Sequence, residues 1–414
     1  MENEFGIKVI ARTREELSIP VEGKAEVNSE EKHDSGMFTF GGKMAGICYM
    51  PDNYFDKGIQ NIKAADNRAA MVCGSGHHSV FDHSYITFEI SNLPKMMAMI
   101  LNSTEVYTTS EKSSRYTKMH PETELELQIY EKWSDKFFDV ITAKYPDIDE
   151  KTRHKLALEN ARYLISVFVP TSMAWTVSYR QLAYVINWLD NLAVSCEREP
   201  NDFNIKLAKW CRILSNEFKK NTDGYKDIHD IKDRCLDFMH YQVFNERITE
   251  KEHIGDIYQT TYTASFAQVA QLQRHRTIHY EIEYMGNPGE YGIYIPKILE
   301  TESLRDEFMD DYHKVAYCHP QATLVRVLEQ GRAVKFFDKA KERLCGRAQL
   351  EIMENTKSMM DKFIEHRDEL SDRVRYELAK ITNNWETVTK CQMKCITCTE
   401  SCMWGAKNGL NRLV

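Results

Sequence analysis

The stretch Gln271-Leu272-Gln273-Arg274-His275-Arg276 places an amide, two guanidinium groups and an imidazole within six residues. Arginine offers a planar fork of N–H donors to a phosphate or a carbonyl, and a histidine ring can lie along a flat ligand. The triplet Arg274-His275-Arg276 therefore suits an anionic, planar ligand. The competing reading is an exposed basic helix end that complements the helix dipole. His77, His78, Asp82 and His83 are metal-ligand types, but their spacing fits no standard zinc pattern. Gly286-Asn287-Pro288-Gly289 reads as a turn more readily than as a phosphate cradle. Cys391, Cys395, Cys398 and Cys402 recur at helical spacing. On one continuous helix they would share a face but spread over roughly 16 Å, too far for one metal ion. A buried apolar stripe is the first reading of them. A broken helix or loop would allow a zinc or iron–sulfur site, and redox use is the third possibility.

These groups need a scaffold. The apolar run Ser265-Phe266-Ala267-Gln268-Val269-Ala270 predicts a helix from Ala264 to Arg276 that ends on the basic triplet. Before it, Ile257 to Thr263 reads as a strand. After it come a polar, glycine-rich stretch to Tyr294, a helix from Ser303 to Tyr317, a strand from Thr323 to Leu328, and two helices to about Glu369. The first half shows the same order. Phe81 to Ile90 reads as a strand, Met96 to Leu101 as a helix, and Ser110 to Tyr116 as a polar stretch. An amphipathic helix over Glu122 to Tyr145 has Leu125, Ile129, Trp133 and Phe137 on one stripe, with Phe138 beside them. Asp149 caps the next helix, Met173 to Val177 is a strand, and two helices run from Arg180 to Asn221. Residues 1 to about 60 give no clear pattern. The recurrence argues for an internal repeat of about 200 residues, with a turn-rich break at Asn221-Thr222-Asp223-Gly224. The expected domains are residues 1–225, residues 226–390 and a cysteine-rich tail, 391–414.

A chain of 414 residues has material for two or three domains. The net charge of −8 gives no general attraction for nucleic acid. The start Met1-Glu2-Asn3-Glu4 lacks a secretory pattern, and no apolar run is long enough to span a bilayer. Eleven cysteines without a small secreted framework read as reduced thiols, so a cytoplasmic location is expected. There is no GxxxxGK[ST] loop, and Gly74-Ser75-Gly76 does not complete GxGxxG, which leaves a dinucleotide-binding Rossmann fold without support.

The triplet with Gln271 before it resembles the signature of flavin-dependent thymidylate synthases (ThyX). The second half of that signature is incomplete here, with Tyr284 and Gly286 at its places. In the first half, His77 to His83 and then Glu111-x-Ser113-x-Arg115-Tyr116 resemble the flanking pattern, but Ser103-Thr104-Glu105 stands where the triplet should fall. Glu159-Asn160-Ala161-Arg162 and Trp175 to Arg180 resemble the ExAR and WTVNAR segments. In the second half the two matching arginine places hold Ala316 and Val334. Arg343 to Ile352 resembles the family's late helix, R-x-x-x-[HR]-A-Q-x-E-I, whose arginine place in the first half holds Leu189.

The losses are complementary. In the family the nucleotide site lies between subunits. The set given by one subunit survives only in the first half, as Glu111, Ser113, Arg115 and Arg162. The set given by its neighbour survives only in the second, as Gln271, Arg274 and Arg343. The resemblance implies an α/β (α+β) fold of two tandem units, each a small, mostly antiparallel sheet packed by helices. The units would form a pseudodimer, and a homodimer of the chain would mimic the family's tetramer. It implies reductive methylation of dUMP to dTMP, with FAD as cofactor and methylenetetrahydrofolate and NADPH as co-substrates. Arg115, Arg162, Glu111, Ser113 and Gln271 would bind the nucleotide, and Arg274 and Arg343 would also act in catalysis. Ser79, Asp82, Ser178, Arg180, Arg274, His275, Arg276 and Arg347 occupy flavin-contact positions. Asp82 stands where glutamate is common, while Ser178 and Asp338 stand where asparagine is. The alternatives are C5 modification of another pyrimidine nucleotide, such as hydroxymethylation, and a non-catalytic nucleotide- or flavin-binding paralogue.

Overall fold

The computed structural model describes residues 4–13, 36–47, 61–103, 106–115, 117–222, 247–399, 402–405 and 409–414. Two four-stranded sheets run through them. The first contains β1 (Gly6–Arg12), β2 (Tyr85–Pro94), β3 (Thr108–Glu111) and β4 (Pro170–Ser178), in the order β1-β2-β4-β3. The second contains β5 (Glu252–His253), β6 (Ile257–Ser265), β7 (His279–Glu283) and β8 (Leu324–Arg332), in the order β5-β6-β8-β7. The same strand order thus appears in both halves. β1 pairs β2 and β3 pairs β4 antiparallel, and every neighbouring pair in the second sheet is antiparallel. The mixed helical and antiparallel character agrees with the expected fold class.

Several boundaries differ from expectation, each for a local reason. β2 starts at Tyr85, because His78–His83 forms a 3-10 turn. There the His78 ring bonds Cys73 O at 3.0 Å and Tyr184 Oη at 3.1 Å, which holds the segment away from the ladder. The helix before the basic triplet is only Phe266–Leu272. Beyond it the bonds tighten to Arg274 N→Gln271 O and His275 N→Leu272 O, which turns the triplet out of the helix. β7 lies inside the stretch expected to be polar and irregular. Its acids are paired, Glu281 with His279 and the fully buried Glu283 with Arg247, so polar composition hid a strand. A further helix, Asp372–Ile381, also follows.

The chain divides into two compact units, but not at residue 225. One comprises Met1–Leu93, Val106–Glu111 and Thr171–Phe238; the other comprises Pro94–Glu105, Lys112–Pro170 and Met239–Val414. The expected boundary is corrected accordingly, since two stretches of the first half belong with the second half. The reason is backbone pairing. Ala322 N donates to Tyr163 O, Gln321 N to Ile165 O and Val167 N to His319 O, all at 2.8–2.9 Å. Thr104, Glu105, Tyr116, Asp223 and Gly224 lie outside the described residues.

In the second unit the helix Glu124–Lys144 supplies the core stripe. Ile129, Trp133, Phe137 and Ile141 are buried; Leu125 is exposed, and Phe138 stacks on His154 instead. Trp133 meets Phe308 edge-on at 5.1 Å, and its Nε1 donates to Asp311 Oδ2 at 2.9 Å. Phe308→Ala is expected to cost about 3–5 kcal/mol of stability in urea unfolding. A cost below about 1 kcal/mol would mean that this aromatic cluster does not hold the unit together.

Candidate active site

The site is built on the loop between the helices Ala333–Arg343 and Leu350–Glu365. Gln349, the last loop residue, is 2% exposed and its side chain joins two other segments. Its Oε1 accepts from Arg162 Nη2 and from Gln271 Nε2, and its Nε2 donates to Tyr163 Oη. Arg162 follows the helix Glu150–Ala161, whose N-cap Asp149 accepts from Thr152 N. It is 3% exposed, and its Nη1 donates to Ser114 Oγ at 2.6 Å. Tyr163 Oη donates to Glu351 Oε2 at 2.8 Å. Glu351 also accepts from Ser265 N at 2.8 Å and Ser265 Oγ at 2.6 Å. Ser265 caps the helix Phe266–Leu272, which carries Gln271. Arg343 holds the other end of that helix, with Nη2 on Gln271 O at 3.2 Å and Nε on His275 Nε2 at 2.8 Å.

Arg115 reaches the same loop. Its Nε donates to Glu159 Oε2 at 2.7 Å and its Nη2 to Arg347 O at 2.9 Å. Ser113 Oγ accepts from Arg115 N at 3.3 Å. The structure thus gathers Arg115, Arg162, Gln271 and Arg343 in one cluster, with Arg274 close enough to act on Arg343 electrostatically. Burial pushes the Arg343 guanidinium down to about 10, and the neighbouring charges of Arg115 and Arg274 add to the effect. Burial lowers Arg162 as well, with Glu159 opposing. His275 is driven down to about 2, by burial first and then by Arg343 and Lys339. It is therefore neutral, and because Nε2 accepts from Arg343 its proton sits on Nδ1. Arg162 Nε and Gln271 Oε1 are buried and have no hydrogen-bond partner among the described residues.

The remaining expected residues fall elsewhere. Ser79, Asp82, Glu111, Ser178 and Arg180 belong to the first unit. There Asp82 accepts from Ser178 Oγ at 2.6 Å and pairs with Arg180. In the second unit, an open cleft is lined by Asn102, Ser103, Val269, Leu272, His275, Arg276, Ile278, Tyr280 and Ile282. The Tyr280 hydroxyl is buried without a partner among the described residues. Ser103 thus lines this cleft, whereas Arg115, Arg162, Gln271 and Arg343 do not. The tail cysteines do not form a buried helical stripe. Lys390–Gln392 forms a single short 3-10 turn, which holds only Cys391 of the four; Cys391, Cys395 and Cys398 are exposed and Cys402 is half-buried. No three His, Cys, Asp or Glu side chains among the described residues could together hold a metal ion.

Residues 41–193 match the family described as "Thymidylate synthase complementing protein". A curated relative, the flavin-dependent thymidylate synthase of Thermococcus onnurineus (strain NA1), is 23% identical over 172 residues. That alignment covers 39% of this chain and 65% of the relative's length. Two solved structures are also similar. The UMP/dUMP methylase PolB from Streptomyces cacaoi, bound with 5-Br dUMP, is 11% identical, with 44% of this chain and 77% of that chain covered, at TM-score 0.30. Thymidylate synthase X from Helicobacter pylori, with FAD and dUMP, is 17% identical, with 55% and 100% covered, at TM-score 0.30. Ser113, Arg115 and Arg162 lie inside the thymidylate synthase complementing segment; Gln271, Arg274 and Arg343 lie beyond it. No helix among the described residues is long and apolar enough to cross a membrane.

Sequence reasoning missed Gln349, Tyr163, Glu351, Ser114 and Glu159 as site residues. Gln349, Glu351 and Glu159 stand inside quoted motifs, so position within the motif was the available signal. Tyr163 and Ser114 adjoin motif arginines and had no separate signal.

The neutral His275 makes a pH prediction. Its folded value is below its ordinary 6.5, so the stability tied to the neutral ring is complete above pH 6.5 and is lost as pH falls toward 2. Because the ring is only partly buried, the expected loss from pH 7 to pH 5 is about 1 kcal/mol. His275→Gln should flatten the pH dependence of urea unfolding by that amount. An unchanged slope would show that the ring is protonated in the fold.

Proposed function

We propose that this chain binds a pyrimidine nucleoside monophosphate at the arginine cluster and methylates C5 of dUMP, giving dTMP. The observation that carries the reading is the gathering of Arg115, Arg162, Gln271 and Arg343 about one loop, with Arg162 Nε and Gln271 Oε1 buried and without a partner among the described residues. In a protein of net charge −8, such a cluster is best explained by an anionic ligand that joins it. The match of residues 41–193 supports the same chemistry.

On this reading Arg115 and Arg162 hold the phosphate, with Ser113 beside them. Gln271 donates and accepts at the pyrimidine edge, for which its free Oε1 is suited. Arg274 and Arg343 hold the uracil carbonyls and stabilise the negative charge that builds up as C5 becomes nucleophilic. No protein nucleophile is needed, so Cys345 has no assigned step.

FAD fits the residues present. The cleft beside His275 and Arg276 offers apolar walls for a ring system, the unpartnered Tyr280 hydroxyl for a polar edge, and a cation at its side. Arg276 and Arg347 are the further candidates to hold it. When bound, FAD would supply one-carbon and hydride transfer, with methylenetetrahydrofolate and NADPH as co-substrates. The neutral His275 presents an uncharged ring on the cleft wall. The two sheets of identical strand order support a tandem pseudodimer, and a homodimer of the chain would complete a four-unit assembly.

Incubation with dUMP, methylenetetrahydrofolate, NADPH and FAD, followed by mass spectrometry of the nucleotide, tests the reaction. A mass gain corresponding to one methyl group is expected; an unchanged nucleotide overturns methylation. Arg115→Ala and Arg274→Ala should each lose a charged contact worth about 1.5–3 kcal/mol, weakening dUMP binding tenfold to a hundredfold in calorimetry. Both residues lie in one unit of one chain, so mixing the two inactive variants should restore no activity. Recovery on mixing would place the site between chains.

A further inference from the structure

The C-terminal tail closes on the same loop that carries the arginine cluster, and we infer that Arg412 is a positioning residue for it. Arg412 is 4% exposed and each of its three guanidinium nitrogens donates a hydrogen bond. Nη2 donates to Ala348 O at 2.5 Å, Nη1 to Gly409 O at 2.5 Å with Met353 Sδ at 2.8 Å, and Nε to Val414 O at 2.8 Å. One cation thus ties the tail to the residue between Arg347 and Gln349. Those neighbours are the loop's two links to the cluster, through Arg347 O to Arg115 and through the Gln349 amide to Arg162 and Gln271.

The tail is itself anchored. Trp404 is buried and meets Tyr145 edge-on at 4.9 Å, and Leu413 N donates to Tyr145 Oη at 3.1 Å. Trp404 and Cys402 also press on the loop at Gly346. A Cβ there would lie 2.7 Å from Trp404 Cδ1 and 2.9 Å from Cys402 Sγ, so only glycine fits beneath the tail. The loop is therefore held from one side by Arg412, Trp404 and Cys402 and from the other by Arg115 and Arg162. With the tail side released, the Ala348 carbonyl loses a charged hydrogen bond, and Arg347 O and Gln349 lose their fixed placement. Arg412 touches none of the proposed ligand-binding groups directly; it acts through the loop.

This rests on the proposed nucleotide site, but its test separates the two. Arg412→Gln is expected to speed amide hydrogen exchange at residues 345–349 about tenfold, leaving the helix Glu124–Lys144 unchanged. It should weaken dUMP binding about tenfold, with Arg412→Lys recovering part of the loss. In the double variant Arg115→Ala/Arg412→Gln the loss should be smaller than the product of the single losses, because both act through one loop. A merely structural role would instead give losses that multiply. Gly346→Ala, which leaves Arg412 intact but pushes tail and loop apart, should reproduce the faster exchange, and it carries the test if Arg412→Gln does not fold. Unchanged loop exchange in the variants, wild-type affinity in Arg412→Gln, or multiplying losses would overturn the role of Arg412. A wild-type chain that does not bind dUMP overturns the nucleotide reading, and the exchange data then decide the role of Arg412 alone.

Discussion

Arg162 is a guanidinium taken almost wholly out of water, and the second unit is arranged around satisfying it. Burying such a charge costs several kcal/mol unless its N–H groups find fixed partners. Ser114 supplies one and Gln349 another. Gln349 must then be oriented, which Gln271 and Tyr163 do, and Tyr163 is in turn fixed by Glu351. Glu351 ends the series at Ser265, the cap of the helix that presents Gln271. A single need for hydrogen bonds thus aligns four chain segments from both halves. Since Arg162 Nε remains without a partner among the described residues, the network stops one donor short of completion at the place where a ligand is proposed.

Charge decides what such a site accepts. The net charge of −8 would repel an anion at long range, but salt screens that field beyond about 8–10 Å. Inside that distance Arg115, Arg162, Arg274 and Arg343 act against Glu159 and a Glu351 whose burial favours its protonated form. The local excess is positive. His275 does not add to it, because Arg343 and Lys339 together with burial keep the imidazole neutral. Lys339 is itself held by Glu329 in a fully buried pair and contributes little net charge. The result is a cationic site with an uncharged ring at its edge, rather than an indiscriminately basic surface.

Much of the fold was legible. The amphipathic stripe of Ile129, Trp133 and Phe137 became core, Asp149 caps its helix, and the repeated element order became two sheets of one strand order. Periodicity reads such features because burial along a helix or strand is regular. It failed at β7, whose buried Glu283 pairs with the sequence-distant Arg247, and at His78–His83, where side-chain bonds replaced a ladder. The domain boundary failed for a related reason. Residues 112–170 pack where backbone pairing with 318–323 takes them, and no local signal encodes a partner that far along the chain. The arginines of the cluster were found from their motifs, whereas Gln349 was quoted only as a motif letter. Its importance comes from being the one buried amide that three segments share. Of the readings open for the cysteine tail, the buried helical stripe is the one that the structure does not show. The tail instead folds back through Trp404 and Arg412, whose contacts depend on tertiary position alone.

The proposed pseudodimer gives a physical reason for the uneven losses. When two copies are joined in one chain, a contact between them becomes intramolecular, with an effective concentration on the order of millimolar. Of the two composite sites that a symmetric pair would build, one then suffices, and residues serving only the other are free to change. Ala316 and Val334 stand at arginine places in the second half and Leu189 at one in the first, which is the distribution that one surviving site allows. Strand order tolerates such drift because packing asks only for apolar bulk on alternate positions. A charged site tolerates none, because each guanidinium must meet a particular acceptor. Both sheets therefore keep one topology while the arginine cluster is assembled once, in the unit that combines Arg115 and Arg162 with Gln271, Arg274 and Arg343.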